Sequence, residues 1–311
     1  MPRAGGSRVG SVLACVLAVC AFARAATPSF GVREVARGVF VHEGKAVALD
    51  APGHDDIANI GFVLGRRCVA VVDTGGSVRT GRALRAAIGA HTKLPICYVI
   101  NTHVHVDHVL GNAAFKADKP SFVGSAALAA AIDASRGYFV EHYADDFDAP
   151  ASGDQVIGPD TTVAATRDLD LGDRTLTLRA WPKAHTDSDL TVTVNDAGVL
   201  WTGDLLFVGR VPALDGSAKG WLAAIDDLAK IHATVVVPGH GPVVRDLGAA
   251  LAPERRYLEV LVDGVRKEIA AGQPIEHATA NVGLSEKKSW LLWDTANAHN
   301  VSRVYQELEW E

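Results

Sequence analysis

The sequence predicts an α+β protein in which sheets pack together with helices outside, closed by a helical tail. Three observations predict it. Short apolar or alternating segments occur in two sets, one between residues 32 and 100 and one between 161 and 237. Helix-spaced segments follow each set, and beyond Val244 the spacing is helical to the end. The 311 residues are 48% hydrophobic and 21% charged, which is enough apolar material for a sizeable core.

Residues 1–25 stand apart. Arg3 and Arg8 precede an apolar run from Val9 to Ala23, and Ala23-Arg24-Ala25 is a small-x-small exit, so the segment reads as a secretory signal peptide. The run is short for a bilayer span and no later stretch approaches that length, so no stable membrane insertion is expected and the periplasm is the expected compartment. Removing the segment takes three basic residues and no acidic ones, moving the formal charge from −6 to −9. That sign is wrong for a polyanion-binding protein, which excludes nucleic acid as a partner. Cys15 and Cys20 leave with the segment. Cys68 and Cys97 remain, too few for a disulfide scaffold, and are expected to be buried thiols because bridges between paired strands fit disulfide geometry poorly.

The first set of strands covers residues 32–36, 39–43, 60–64, 68–72 and 96–100. Residues 50–58 between them read as an exposed loop. Asp73-Thr74-Gly75-Gly76 ends the fourth strand, and residues 77–91 have helical spacing with Arg79, Arg82 and Arg85 on a polar side. A helix over 125–142 precedes an acidic stretch without periodicity, 144–160, whose Asp145-Asp146-Phe147-Asp148 reads as solvated. The second set covers 161–165, 174–181, 190–195, 199–201 and 234–237, with a helix over 219–230 before the last. Helices over 247–271 and 285–308 complete the chain. This divides it into a signal segment (1–25), a catalytic domain (26–245) and a helical C-terminal extension (246–311).

Chemistry concentrates where strands end. Residues 103–108 read His-Val-His-Val-Asp-His. His103 and His105 are two apart, so on an extended segment they point the same way, and Asp107 and His108 follow in what must be a turn. His185 follows a strand in Ala-His-Thr-Asp, Asp204 leaves one in Trp-Thr-Gly-Asp, and His240 lies in Pro-Gly-His-Gly-Pro. Their shared address at strand ends is where the loops of a rigid sheet converge.

This ordered set resembles the metal ligands of the metallo-β-lactamase superfold, over roughly residues 32–245. The resemblance implies a four-layer αββα sandwich with a dinuclear metal site. His103, His105 and His185 would hold one metal; Asp107, His108 and His240 the second; and Asp204 would bridge both. Asp73 would orient a ligand imidazole from behind. The expected cofactor is two zinc ions per chain, although manganese or iron would also accept these donors. With a bridging hydroxide, such a site supplies a nucleophile at neutral pH and accommodates a tetrahedral intermediate, with Asp107 and Asp204 as the catalytic carboxylates.

True metallo-β-lactamases usually carry Cys or Ser where Asp204 stands, whereas glyoxalase II-like thioester hydrolases carry Asp. The chain departs from glyoxalase II after His185, where Thr186-Asp187-Ser188-Asp189 replaces Pro-Gly-His. Residues 201–212, 215–221, 237–242 and 297–310 are similar to exported zinc metallohydrolases associated with quinoprotein and sulfur-oxidation systems. The expectation is an exported hydrolase of a small-molecule ester, thioester or lactone with a functional link to a periplasmic quinoprotein. The alternatives are β-lactam hydrolysis, or a metal-bound accessory protein. Arg210 and Lys219 are candidates for holding an anionic substrate. His299 and Arg303, four apart on the last helix, share a face that either closes the pocket or is solvated. Trp290 and Trp293 are expected to dock that helix on the core, and His54 to be an exposed loop residue.

Overall fold

The computed structural model describes residues 30–311 together with residues 1, 2, 5 and 6; the apolar run and cleavage site of the expected signal segment lie outside them. The first of two sheets has seven strands in chain order: β1 (Arg33–Ala36), β2 (Val39–His42), β3 (Ile60–Leu64), β4 (Val69–Val72), β5 (Ile96–Ile100), β6 (Ser121–Ser125) and β7 (Thr161–Val163). It is antiparallel from β1 to β4 and parallel from β4 to β7. The second sheet joins β8 (Thr166–Asp170), β9 (Thr175–Ala180), β10 (Leu190–Val194), β11 (Val199–Phe207) and β12 (Val235–His240) in the order β12-β11-β10-β9-β8. Only its β11–β12 pair is parallel.

The alternation of side chains along each strand builds the layers. On β4, Ala70 and Val72 face the second sheet, in one core with Leu176, Val192 and Trp201. Val69 and Val71 face outward beneath Leu84 and Ile88 of α1 (Val78–His91). The short α2 (Val106–Val109) and α3 (Ala126–His142) share another apolar cluster on that side. The far face of the second sheet is covered by α4 (Ala218–Leu228), α5 (Leu247–Ala270) and α7 (Trp293–Leu308), with α6 (Ile275–Asn281) packed against α5 and α7. The result is the expected αββα sandwich. Trp290 and Trp293 are buried in the α5–α7 core, as docking residues should be. Among the described residues, no helix is long and apolar enough to cross a membrane.

Several expectations fail locally. Cys68 and Cys97 form a disulfide, with Cα atoms 5.7 Å apart. The β4–β5 register slips between Val69, opposite Ile96, and Ala70, opposite Tyr98. Cys97 is the unpaired residue of that bulge and Cys68 lies just before the ladder, so the regular pairing that would hold two thiols apart is absent there. Residues 50–58 are not an exposed loop: Asp55, Ile57 and Ala58 are buried. Asp55 Oδ2 accepts from Ser77 Oγ (2.7 Å), Thr80 Oγ1 (2.9 Å) and Arg79 (2.7 Å), gathering the donors at the start of α1. The tail is broken where one helix was expected over 285–308: a 3-10 segment (Leu284–Ser289) and Leu292 at φ 59° precede α7.

Candidate metal centre

The site sits where strand ends of both sheets meet. Asp73 directly follows β4, β5 leads into Thr102 and His103, and β12 ends in His240. The sheets are stitched together at this end: Asn59 N donates to Gly239 O (2.8 Å), its side chain to Pro238 O and Gly241 O, and Leu190 N to Thr102 O (2.8 Å). A register shift around Gly203, at φ 52°, turns β11 so that Asp204 faces the opposite strand ends. Gly239 leaves room for the carboxylate, because a Cβ there would stand 1.8 Å from Asp204 Oδ1. Gly239→Ala should therefore displace the carboxylate, lowering metal content and cutting kcat/KM by roughly 10²-fold, with an unchanged circular dichroism spectrum. Wild-type metal content in that variant would disprove the packing argument.

All seven sequence-predicted ligands come together. His103, His105, His185 and Asp204 offer donor atoms within 4.8 Å of one another, as do Asp107, His108 and His240. Asp204 stands between the groups: its Oδ2 is 3.4 Å from His185 Nε2, 3.7 Å from His103 Nε2 and 3.2 Å from His240 Nε2, and its Oδ1 is 3.1 Å from His108 Nε2. Asp107 Oδ2 lies 3.3 Å from His240 Nε2 and 3.5 Å from His108 Nε2.

The outward nitrogen of each imidazole is engaged by an acceptor. His108 Nδ1 meets Asp73 Oδ2 (2.8 Å), His185 Nδ1 meets Ala213 O (2.6 Å), and His240 Nδ1 meets Ile57 O (2.8 Å). Thr102 Oγ1 donates to Asp73 Oδ2 and so accepts from His103 Nδ1 (3.0 Å). His105 is turned the other way, its Nε2 on Asp215 Oδ2 at 2.7 Å. These contacts assign the tautomers and leave five inward lone pairs. His105 Nδ1 and His185 Nε2 are 3.0 Å apart, a pairing that only a cation or a shared proton makes favourable. His103 Nε2, His108 Nε2 and Asp204 Oδ1 are buried without a hydrogen-bond partner. Imidazole nitrogens and carboxylates converging at a buried point fit metal ions.

With no cation in the centre, the carboxylates draw protons onto His105, His108 and His240, while His103 and His185 stay neutral. Burial pushes His185 down to about 4, with His105 adding to it, and burial with His108 holds His103 well below the usual imidazole range. Burial also opposes charge on His108, but Asp204, Asp107 and Asp73 more than reverse it. Asp204 and Asp107 are likewise penalised by burial and kept ionised by the imidazoles around them.

A cavity of about 490 Å³ opens onto the cluster. Tyr138, Phe139 and Tyr143 of the α3 region form one wall; Arg210, Lys183 and Asp187 contribute charge. Arg210 lines this cavity and reaches within 3.2 Å of His240 Nδ1. Lys219 does not line the cavity: it pairs with Glu311 at the end of the chain, and Lys183 supplies the cavity lysine instead. His299 and Arg303 neither line the cavity nor sit idle. Both bind Asp215, through its Oδ1 (2.8 Å) and its carbonyl (2.7 Å). His54 is half-buried rather than exposed, bonded to a buried Asp146 at 2.8 Å, which joins the loop carrying Leu49 to the end of α3.

The sequence profile of the metallo-beta-lactamase superfamily matches residues 54–240, more than half of the chain and the whole ligand set. The chain belongs to this superfamily. Among solved structures, this superfamily member is similar to the sec-alkylsulfatase Pisa1 from Pseudomonas sp., at 18% identity and TM-score 0.66 over 89% of this chain; it spans half the length of that enzyme. It is also similar to a metallo-beta-lactamase from Pontibacter korlensis, at 22% identity and TM-score 0.58, covering 74% of this chain and 98% of the other. The DIM-1 metallo-beta-lactamase gives 16% identity and TM-score 0.57, covering 75% and 97%. At these identities the likeness shows a shared fold, and the His/Asp clusters fit the metal sites of this superfamily of hydrolases.

Sequence reasoning missed Asp215, Asn59 and Asp189. Asp189 accepts from Thr186 N (2.9 Å) and Thr186 Oγ1 (2.6 Å), shaping the turn that follows His185, and its burial lifts it to about 7. A Thr-x-x-Asp directly after a candidate ligand was the available signal for that turn.

Proposed function

We propose that the chain is an exported hydrolase that uses two zinc ions to cleave an ester, thioester or lactone. The observation that carries this reading is the set of five imidazoles, each fixed from behind, presenting free lone pairs around two ionised carboxylates. His103, His105 and His185 would hold one ion, Asp107, His108 and His240 the other, with Asp204 shared. When bound, the ions supply a nucleophile at neutral pH and polarise the scissile carbonyl. The remaining tasks fall to the chain. Asp107 Oδ2 faces His240 and His108, which leaves its second oxygen to take and return a proton. Arg210 is placed to hold an anionic acyl group beside the centre, and the wall of Tyr138, Phe139 and Tyr143 to receive an apolar leaving group and exclude water from it.

A carboxylate at Asp204, rather than a thiol, favours the glyoxalase II-like branch over β-lactamases. The signal-like start and the Cys68–Cys97 bridge both suit an oxidising compartment such as the periplasm, where a quinoprotein would be the functional neighbour. The test is metal analysis of residues 26–311 with a panel of ester, thioester, lactone, chromogenic cephalosporin and secondary alkyl sulfate. The expected result is about two zinc ions per chain and acyl hydrolysis that a chelator removes and zinc restores. Turnover that survives complete metal removal would sink the reading. No turnover from a two-zinc protein that co-purifies with a quinoprotein would favour the accessory role instead.

A further inference from the structure

Residues 212–218, between β11 and α4, hold two of the four members of one ligand group from behind. Asp215 Oδ2 takes the outward nitrogen of His105 at 2.7 Å, and Ala213 O takes that of His185 at 2.6 Å. Asp215 N and Gly216 N both donate back to His185 O, at 3.0 and 2.7 Å. The imidazoles of the other group are held elsewhere, His108 by Asp73 and His240 by Ile57.

This segment is itself gripped by one face of the C-terminal helix. His299 Nε2 binds Asp215 Oδ1 at 2.8 Å, and Arg303 donates to Asp215 O at 2.7 Å. Asn300 accepts from Leu214 N (3.0 Å) and donates to Pro212 O (2.7 Å). Glu307 accepts from Ser217 Oγ (2.5 Å) and Ala218 N (2.8 Å). Positions 299, 300, 303 and 307 recur at helical spacing along one side of α7.

We infer that α7, acting through Asp215, is the positioning element for the metal position formed by His103, His105 and His185, and not for its neighbour. Asp215 fixes the tautomer and orientation of His105, and His299 holds the carboxylate in place, so the C-terminal helices set the occupancy of one metal position selectively. This rests on the two-metal reading above, but the contact itself does not, and the experiment separates the two.

Metal content is measured by mass spectrometry for wild type, Asp215→Ala, Asp215→Asn and His299→Ala, with zinc affinity read by chelator competition. Asp215→Ala is expected to keep about one zinc ion. Asp215→Asn, which still offers an oxygen, should keep both while binding the weaker one roughly 10- to 100-fold less tightly, the usual range for a lost partner behind a ligand. His299→Ala should weaken the same ion by less, and add nothing further in the Asp215→Ala background, because it acts through that carboxylate. In the metal-free proteins, at a pH high enough to leave His105 neutral, imidazole nitrogen NMR shifts should show it protonated on Nε2 in wild type and a tautomer mixture in Asp215→Ala. A merely structural role would not move that signature. Equal loss of both ions, full retention of both in Asp215→Ala, or an unchanged His105 tautomer would each overturn the inference. Wild type that takes up no metal while the tautomer still shifts would sink the two-metal reading and leave the positioning contact standing.

Discussion

Asp204→Asn should reduce hydrolysis by on the order of 10³-fold and lower the metal content from about two ions toward one or none, with the fold intact. Among the described residues no other side chain is shared so widely: four imidazoles lie between 3.1 and 3.7 Å from its two oxygens. Asparagine keeps the shape that Gly239 accommodates but removes the negative charge, and it aims an NH2 at lone pairs that would otherwise bind metal. That NH2 can hydrogen-bond an imidazole, so the metal-free fold gains a partner for a buried atom rather than losing one. Asp107→Asn provides the contrast. Its carboxylate faces only His108 and His240, so that variant should lose one ion and keep the other. Paired metal and kcat measurements on the two variants decide the matter. Two ions and a kcat within tenfold of wild type in Asp204→Asn would show that Asp204 is not the shared ligand.

The convergence of the seven candidate residues was legible in the sequence because their placement is mostly local or set by strands. Alternation puts His103 and His105 together and a turn adds Asp107 and His108, while His185 comes after the alternating β9, Asp204 lies within the apolar β11 and His240 ends the apolar β12. Strands β3 and β5 were legible to the residue for the same reason: both are short, apolar and bounded by polar or turn residues. β8 was not, since its TRDLD buries only Leu169; it is an edge strand whose polar composition looks like a loop. Long-range polar partnerships were the least legible. His105 and Asp215 are 110 positions apart, and Asn59 reaches across 179 to Pro238. Neither has a local pattern, because the spacing between partners is set by how two sheets and a helix layer close, not by any periodicity along the chain. His299 and Arg303 show the difference well. Their shared helical face was readable, while the loop that the face grips was not.

Removing the Cys68–Cys97 bridge should cost stability without touching the metal centre. The bridge closes a loop of 29 residues, for which the chain-entropy account gives about 3.6 kcal/mol at 25 °C, most of it from the freer unfolded chain. In a chain of this size that corresponds to a fall in Tm of roughly 6–10 °C. Cys68 precedes β4 and Cys97 lies near the start of β5, whereas Asp73 and Thr102 follow the far ends of the same strands, more than ~10 Å along them. A Cys68→Ala/Cys97→Ala protein should therefore bind metal and turn over as wild type does at 25 °C, and unfold earlier. Both cysteines are replaced together because one left alone could form bridges between chains. Thermal unfolding with and without reductant checks the origin of the effect: reduced wild type should fall to the Tm of the variant, and the variant should ignore the reductant. An unchanged Tm in the variant would mean that residual structure already restricts the unfolded chain between these two positions. Lost metal would mean instead that strain at one end of these strands reaches the ligands at the other, and the centre would then be less rigidly held than its hydrogen bonds imply.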